Sequence, residues 1–131
     1  MKDKIERKVE YCRTGRIFCE EYYKNDKRHR EDGPALNFYN EHGIKFREIY
    51  YIDNHIEGAP ADIFYYENGQ IYCEIYYKHD KLHRTDGPAR IEYNIDGAIR
   101  TEEYWLNGTK YDDIFKWMIT VGNLEVKQDE K

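Results

Sequence analysis

Apolar and polar residues alternate with a period of two through most of this chain. Ala89, Ile91 and Tyr93 alternate with Arg90, Glu92 and Asn94, the pattern of a half-buried strand. Each such strand runs into a turn that ends in Thr14-Gly15, His42-Gly43, Asn68-Gly69 or Asp96-Gly97. Glycine at that place supplies the positive φ of a hairpin turn or bulge. A second strand then runs to an aromatic pair, as from Ile71 to Tyr77. A further polar turn (Asn25-Asp26, Asp53-Asn54, His79-Asp80, Asn107-Gly108) reverses the chain toward a Gly-Pro-Ala or Ala-Pro-Ala segment. The pattern predicts a β-hairpin that recurs along the sequence.

The recurrence is also literal. His29-Arg30-Glu31-Asp32-Gly33-Pro34-Ala35 returns 54 residues later as His83-Arg84-Thr85-Asp86-Gly87-Pro88-Ala89, changed at one position. Gly15, Gly43, Gly69 and Gly97 are spaced 28, 26 and 28, and so are Tyr22-Tyr23, Tyr50-Tyr51, Tyr76-Tyr77 and Tyr104-Trp105. The short middle step arises because Glu57-Gly58-Ala59-Pro60-Ala61 is two residues shorter than the two flanking phrases. Regular self-similarity of this length marks a repeat architecture. The repeat units fall at about 9–35, 36–61, 62–89 and 90–111, all within a single domain spanning 1–131. The first eight residues show no pattern that places them, although Val9 and Tyr11 suit the first strand. At the other end Ile114, Phe115, Trp117, Met118 and Val121 recur at helical spacing between Asp112-Asp113 and Gly122-Asn123, which are cap signals. This predicts a helix over about 112–122 and a polar tail over 124–131. The fold class expected is all-β: an elongated antiparallel meander of four β-hairpin repeats with a short C-terminal capping helix.

Such a meander lines up columns of side chains. One face gathers Glu20, Glu48, Glu74 and Glu102, with Tyr22, Tyr50, Tyr76 and Tyr104 two residues on. The opposite face gathers Tyr23, Tyr51, Tyr77 and Trp105, with Ile17, Lys45, Ile71 and Ile99. The expectation is that the Trp105 face is buried and the Glu face is wet. Composition fits a thin structure: 14 of 131 residues are Tyr, and 36% are charged. Tyr brings a large contact surface with a polar tip, so little dry interior is needed.

Tyr23-Lys24-Asn25-Asp26-Lys27-Arg28-His29 and Tyr77-Lys78-His79-Asp80-Lys81-Leu82-His83 resemble the Tyr/Trp-x-Asn-Gly-Lys-x-His-Gly core of MORN repeats. Leu106-Asn107-Gly108-Thr109-Lys110 matches in part. With the appended Arg-x-Asp-Gly-Pro-Ala, residues 9 to 111 look like a MORN-type variant found in bacteria, phages and large viruses. The chain departs from the common form in its longer unit and in Asp26, Asn54 and Asp80, where Gly is usual. The resemblance implies a MORN-like solenoid sheet, a ribbon of hairpins used for contact with proteins and, less directly, lipids. Some bacterial members are antitoxin-like. It implies no catalytic residues.

The remaining motifs have plainer readings than their chemistry first suggests. His29-Arg30-x-Asp32 and His83-Arg84-x-Asp86 share letters with a kinase catalytic loop, but the Gly-rich loop, strand lysine and DFG that such an enzyme needs are missing. They are expected to be structural loops, in which Asp32 and Asp86 accept hydrogen bonds, Gly33-Pro34 and Gly87-Pro88 fix the turn, and Ala starts the next strand. Of the five histidines (His29, His42, His55, His79, His83), His79 and His83 flank a turn, but spacing fixes no third metal ligand. Cys12, Cys19 and Cys73 form no CxxC pair, which suggests packing in a reducing setting.

Charge narrows the partners. The net charge is -5 with both signs interspersed, so the basic stripe of a nucleic-acid binder is missing. No run is long and apolar enough to span a membrane. The chain is therefore expected to be a cytoplasmic, non-enzymatic protein–protein interaction module without a cofactor or metal. Its partner-binding residues are expected to be Glu20, Tyr22, Glu48, Tyr50, Glu74, Tyr76, Glu102 and Tyr104. In its more concrete form, an acidic Tyr-studded ribbon acts as an inhibitor or antitoxin-like protein over the basic groove of a bacterial effector that handles nucleic acid. The alternatives are a scaffold or virion component assembling through sheet edges, a lipid binder, and a small hydrolase.

Overall fold

A computed structural model describes residues 4–129, with side chains through Leu124. The long strands are β1 (Ile5–Tyr11), β2 (Ile17–Lys24), β4 (Leu36–Tyr39), β5 (Lys45–Ile49), β8 (Gly58–Tyr65), β9 (Ile71–Lys78), β11 (Arg90–Tyr93) and β12 (Ile99–Leu106). They pair antiparallel in that order, so the chain is an open meander of hairpins. Short returning strands β3 (Lys27–Arg28), β7 (His55–Ile56), β10 (Lys81–Leu82) and β13 (Thr109–Tyr111) fold back on β2, β6 (Tyr51–Ile52), β9 and β12. Each unit is thus a long hairpin followed by a small one.

The two kinds of turn are separated by their backbone. At the long hairpins Gly15, Gly43, Gly69 and Gly97 take φ of 82 to 93°. Register shifts fall beside each of these turns, between Glu10/Tyr11, Phe38/Tyr39, Phe64/Tyr65 and Glu92/Tyr93, as a bulge requires. At the small hairpins both turn residues have positive φ, for example Asn25 at 52° and Asp26 at 63°. That is the requirement of a two-residue type I′ turn, whose twist suits the strands it joins. Asn and Asp tolerate this region better than most side chains, which explains why glycine is replaced there.

The acidic column is a true cross-strand row. Glu20 opposes Asn37, Asn37 opposes Glu48, and the row continues through Ile63, Glu74, Ile91 and Glu102. The expectation that this face is wet holds at Glu102 and fails in the middle of the row. Asn37 is 1% exposed and Glu48 8%, while Ile63 and Ile91 are also buried. The physical reason is that apolar or amide residues separate the carboxylates, and neighbouring tyrosines lie over them. The other face buries Cys19, Leu36 and Ile49 against Phe38, Tyr51 and Ile56. Both faces therefore hold parts of the core.

The C-terminal helix α1 runs from Ile114 to Asp129, longer than the 112–122 expected. Asp113 caps its start by accepting the Phe115 N–H at 2.9 Å. Gly122-Asn123 does not end it: Trp117, Val121 and Leu124 share one stripe against Leu106, Tyr104 and Tyr111, and that stripe continues past the glycine. The Tyr104 and Trp117 rings lie 4.8 Å apart. Of the tail expected over 124–131, Glu130 and Lys131 lie outside the described residues. The first eight residues, which showed no pattern, supply β1 from Ile5 onward, paired with β2 as far as Lys24. Its charged alternation, Glu6, Lys8 and Glu10, is what hid the strand.

Trp117 is 7% exposed and links the helix to the last hairpin. Trp117→Ala is expected to cost about 3–5 kcal/mol, while Trp117→Phe should cost well under half of that. Urea denaturation followed by circular dichroism measures both.

Candidate functional site

The repeated seven-residue phrase is a folded unit in itself. Arg30 lies 4.0 Å over the Tyr22 ring, donates from Nε to Asp32 Oδ1 at 2.9 Å, and donates from Nη1 to the Pro34 carbonyl at 3.1 Å. Arg84 repeats this on Tyr76, Asp86 and Pro88 with distances of 4.0, 2.8 and 3.1 Å. A Cβ on Gly87 would stand 2.9 Å from the Arg84 Cζ, so the guanidinium fits because glycine is there. Ala35 and Ala89 then enter the sheet with no exposed surface, accepting from the Tyr22 and Tyr76 amides.

The histidine of the phrase reaches forward to the next unit. His29 Nδ1 accepts the Asp53 N–H at 3.0 Å, and His83 Nδ1 accepts the Asn107 N–H at 2.9 Å. Both amides belong to the first residue of a type I′ turn. In the shortened middle copy, Glu57 Oε1 accepts the His79 N–H at 3.3 Å. A backbone bond accompanies each: Asn54 N–H to Arg28 O (2.7 Å), Asp80 N–H to Ile56 O (3.1 Å) and Gly108 N–H to Leu82 O (2.9 Å). Sequence reasoning missed this role, though the signal was present: His29, Glu57 and His83 occupy one column, and each can accept a hydrogen bond.

On the acidic row three of the four carboxylates, Glu20, Glu48 and Glu74, are committed within the protein. Tyr39 Oη donates to Glu20 at 3.5 Å, Tyr65 Oη to Glu48, and Tyr93 Oη to Glu74 at 2.5 Å. Arg7 also pairs with Glu20 at 2.7 Å, and Lys45 with Glu48 at 3.3 Å. Burial, with the hydrogen bond to each carboxylate, pushes the Tyr65 and Tyr93 hydroxyls above their ordinary range. Of the eight residues expected to bind a partner, Glu48 is therefore covered and Glu102 is exposed. Tyr22, Tyr50, Tyr76 and Tyr104 are half-buried in a row, on every second strand and so about 10 Å apart. Tyr22 and Tyr76 carry arginines and Tyr104 packs on Trp117; among the described residues Tyr50 carries neither an arginine nor a ring stack.

The five histidines do not form one cluster, although His79 and His83 line one cleft. His29 and His83 serve loops two units apart, His55 Nδ1 lies 2.6 Å from Asp80, and His79 Nδ1 lies 3.0 Å from Glu57. Among the described residues, Glu10, Cys19 and Glu21 come within 4.8 Å of one another. Burial pushes the Cys19 thiol up to about 11, and the Glu21 carboxylate is already bound by Tyr23 and Arg28. Cys73 is likewise pushed up by burial to about 11, so both thiols pack rather than react. A cleft of about 810 Å³ opens beside the second phrase, lined by Tyr76, Lys78, His83, Arg84, Asn107 and Leu124 among others. A smaller one of about 370 Å³ lies beside the first, at Tyr22, Arg30 and Asp32. No helix among the described residues is long and apolar enough to cross a membrane.

No family model, curated protein or solved structure matches the chain.

His29 is 4% exposed. His29→Ala should lower stability by about 2 kcal/mol, through the lost packing and the unmade bond, and His83→Ala by less; paired denaturant titrations test the order. Burial and the nearby Lys78 charge hold the His83 ring below its ordinary 6.5. The unfolded chain thus takes up this proton first, so stability should fall as pH drops below about 6.5 and level off beneath the folded-state value. His83→Gln should remove that part of the slope in melts recorded between pH 7.5 and 5.

Proposed function

We propose that this chain is a non-catalytic protein-binding module whose contact surface is the row Tyr22, Tyr50, Tyr76 and Tyr104, with Glu102 at its end. The observation that carries the reading is the row itself, four half-buried rings at even intervals on an open sheet. Rings already held by Arg30, Arg84 and Trp117 lose little freedom on binding, which is what a rigid contact surface requires. The resemblance to MORN-type repeats supports a role of this kind. The finer form of the proposal is an inhibitor or antitoxin-like protein set against a basic groove, which the net charge of -5 favours. Because Glu20, Glu48 and Glu74 are tied to tyrosines, that charge acts through its field, while the rings make the contact. Three free cysteines, two of them buried, suit a cytoplasmic setting.

One observation favours a second reading, assembly of copies through a sheet edge: β1 is an outer strand seven residues long. Arg7 and Lys8 stand in the middle of that edge, as charges that discourage pairing commonly do.

Affinity capture at physiological salt, with the recovered protein then made pure, tests the main reading. Tyr50→Ser combined with Glu102→Lys should weaken binding of that purified partner at least tenfold while leaving the fold intact. Recovery of no partner, or unchanged affinity, would remove the proposal. Sedimentation at rising concentration would show a single small species, whereas the edge-assembly reading requires growth.

A further inference from the structure

The two copies of the repeated loop hold an imidazole in the same backbone setting and surround it differently. Around His29 two carboxylates close in: Glu31 Oε2 lies 3.7 Å from Nε2, and Asp53 Oδ1 lies 3.3 Å from Nδ1. Around His83 the matching residues are Thr85 and Asn107, and both are neutral. The first ring is buried, with the exposed Glu31 and Asp53 at its edge. The second is half-buried and lines the 810 Å³ cleft together with Lys78, Tyr76 and the helix residue Leu124.

The hydrogen bonding of His83 fixes what it offers. Its Nδ1 accepts the Asn107 N–H, so the neutral ring carries its proton on Nε2 and that nitrogen is a donor. No protein group among the described residues takes that proton. Two carboxylates also line the cleft, but Glu57 is engaged by the His79 ring at 3.0 Å and Asp86 by Arg84 at 2.8 Å. A donor and the Lys78 ammonium therefore share a cleft large enough for a small ligand, with Tyr76 and Leu124 supplying apolar wall.

We propose that this cleft is a binding site for a carboxylate, which seats against His83 and Lys78 where Glu31 stands beside His29 in the first copy. The single difference between the two phrases, Glu31 against Thr85, sets a carboxylate within 3.7 Å of one ring and leaves the other without one. The site shares Tyr76 with the tyrosine row but does not depend on that row binding a protein, since a small carboxylate tests it directly.

The experiment is NMR of the isotope-labelled full chain, following the imidazole signals of His29 and His83. The probes are N-acetylglutamic acid amide, bearing a side-chain carboxylate, and N-acetylalanine, bearing a terminal one; inorganic phosphate is the control. The expected result is a saturable shift at His83 with at least one carboxylate and none at His29, and the two probes distinguish which kind of carboxylate fits better. Thr85→Glu supplies an internal carboxylate and should weaken probe binding at least tenfold. Glu31→Thr combined with Asp53→Asn should make His29 respond. Each change introduces the residue or side-chain type that the other copy already carries, so the fold is retained, and the remaining signals report it. A non-saturating response, an equal response to phosphate, or binding that survives Thr85→Glu would overturn the assignment.

Discussion

A two-residue reverse turn leaves a backbone amide pointing outward, and what this protein does with that amide organises the rest of the structure. In each of the last three units the amide is caught by a side chain from the unit before, His29, Glu57 or His83. A backbone bond one residue on doubles the link. Long strands alone would join the units along one line of the sheet. The second line, made at the small hairpins, fixes how each unit is rotated on its predecessor. An imidazole and a carboxylate can exchange at this place because the amide asks only for an acceptor of the right reach. The loop around the acceptor is freer, which is how the middle copy does without the Arg-x-Asp part of the phrase.

An open sheet has no second layer to bury its side chains, and this one meets the problem with tyrosine. On the acidic face Tyr39, Tyr65 and Tyr93 lie against Glu20, Glu48 and Glu74, so carboxylates are shielded without being orphaned. On the other face Arg47 grips Asp62 through two bonds of 3.0 and 2.8 Å while its guanidinium lies 4.5 Å over Phe64. In both cases an ionised group is held by a partner that also covers it, which limits the desolvation cost of burying charge in a thin protein. Among the described residues the helix adds a conventional apolar contact at the last hairpin.

Much of the fold was legible in the sequence because its signals are local. Alternation set the strands, Gly15, Gly43, Gly69 and Gly97 marked the long hairpins, and the paired polar residues marked the small ones. The burial of Glu48 was not legible, because alternation assigns residues to a face and says nothing of what a tyrosine on the adjoining strand will do. Nor was the far end of the helix, where Gly122 looked like a terminus but the spacing of Trp117, Val121 and Leu124 carried the docking stripe onward. The latching role of His29 and His83 depends on a partner 24 residues away, beyond any local pattern. Its one clue was positional, a histidine column interrupted by a glutamate.

The alternation of a long loop with a short one means that the chain does not advance in equal steps. Its translational period is the pair, 54 residues from one phrase to the next. Acceptors face forward and amides face back at every junction, so whole pairs can be spliced between existing ones with each new joint already satisfied. A ribbon wired in this way changes length by duplication of a two-hairpin block, and the spacing of whatever it presents changes in the same increments.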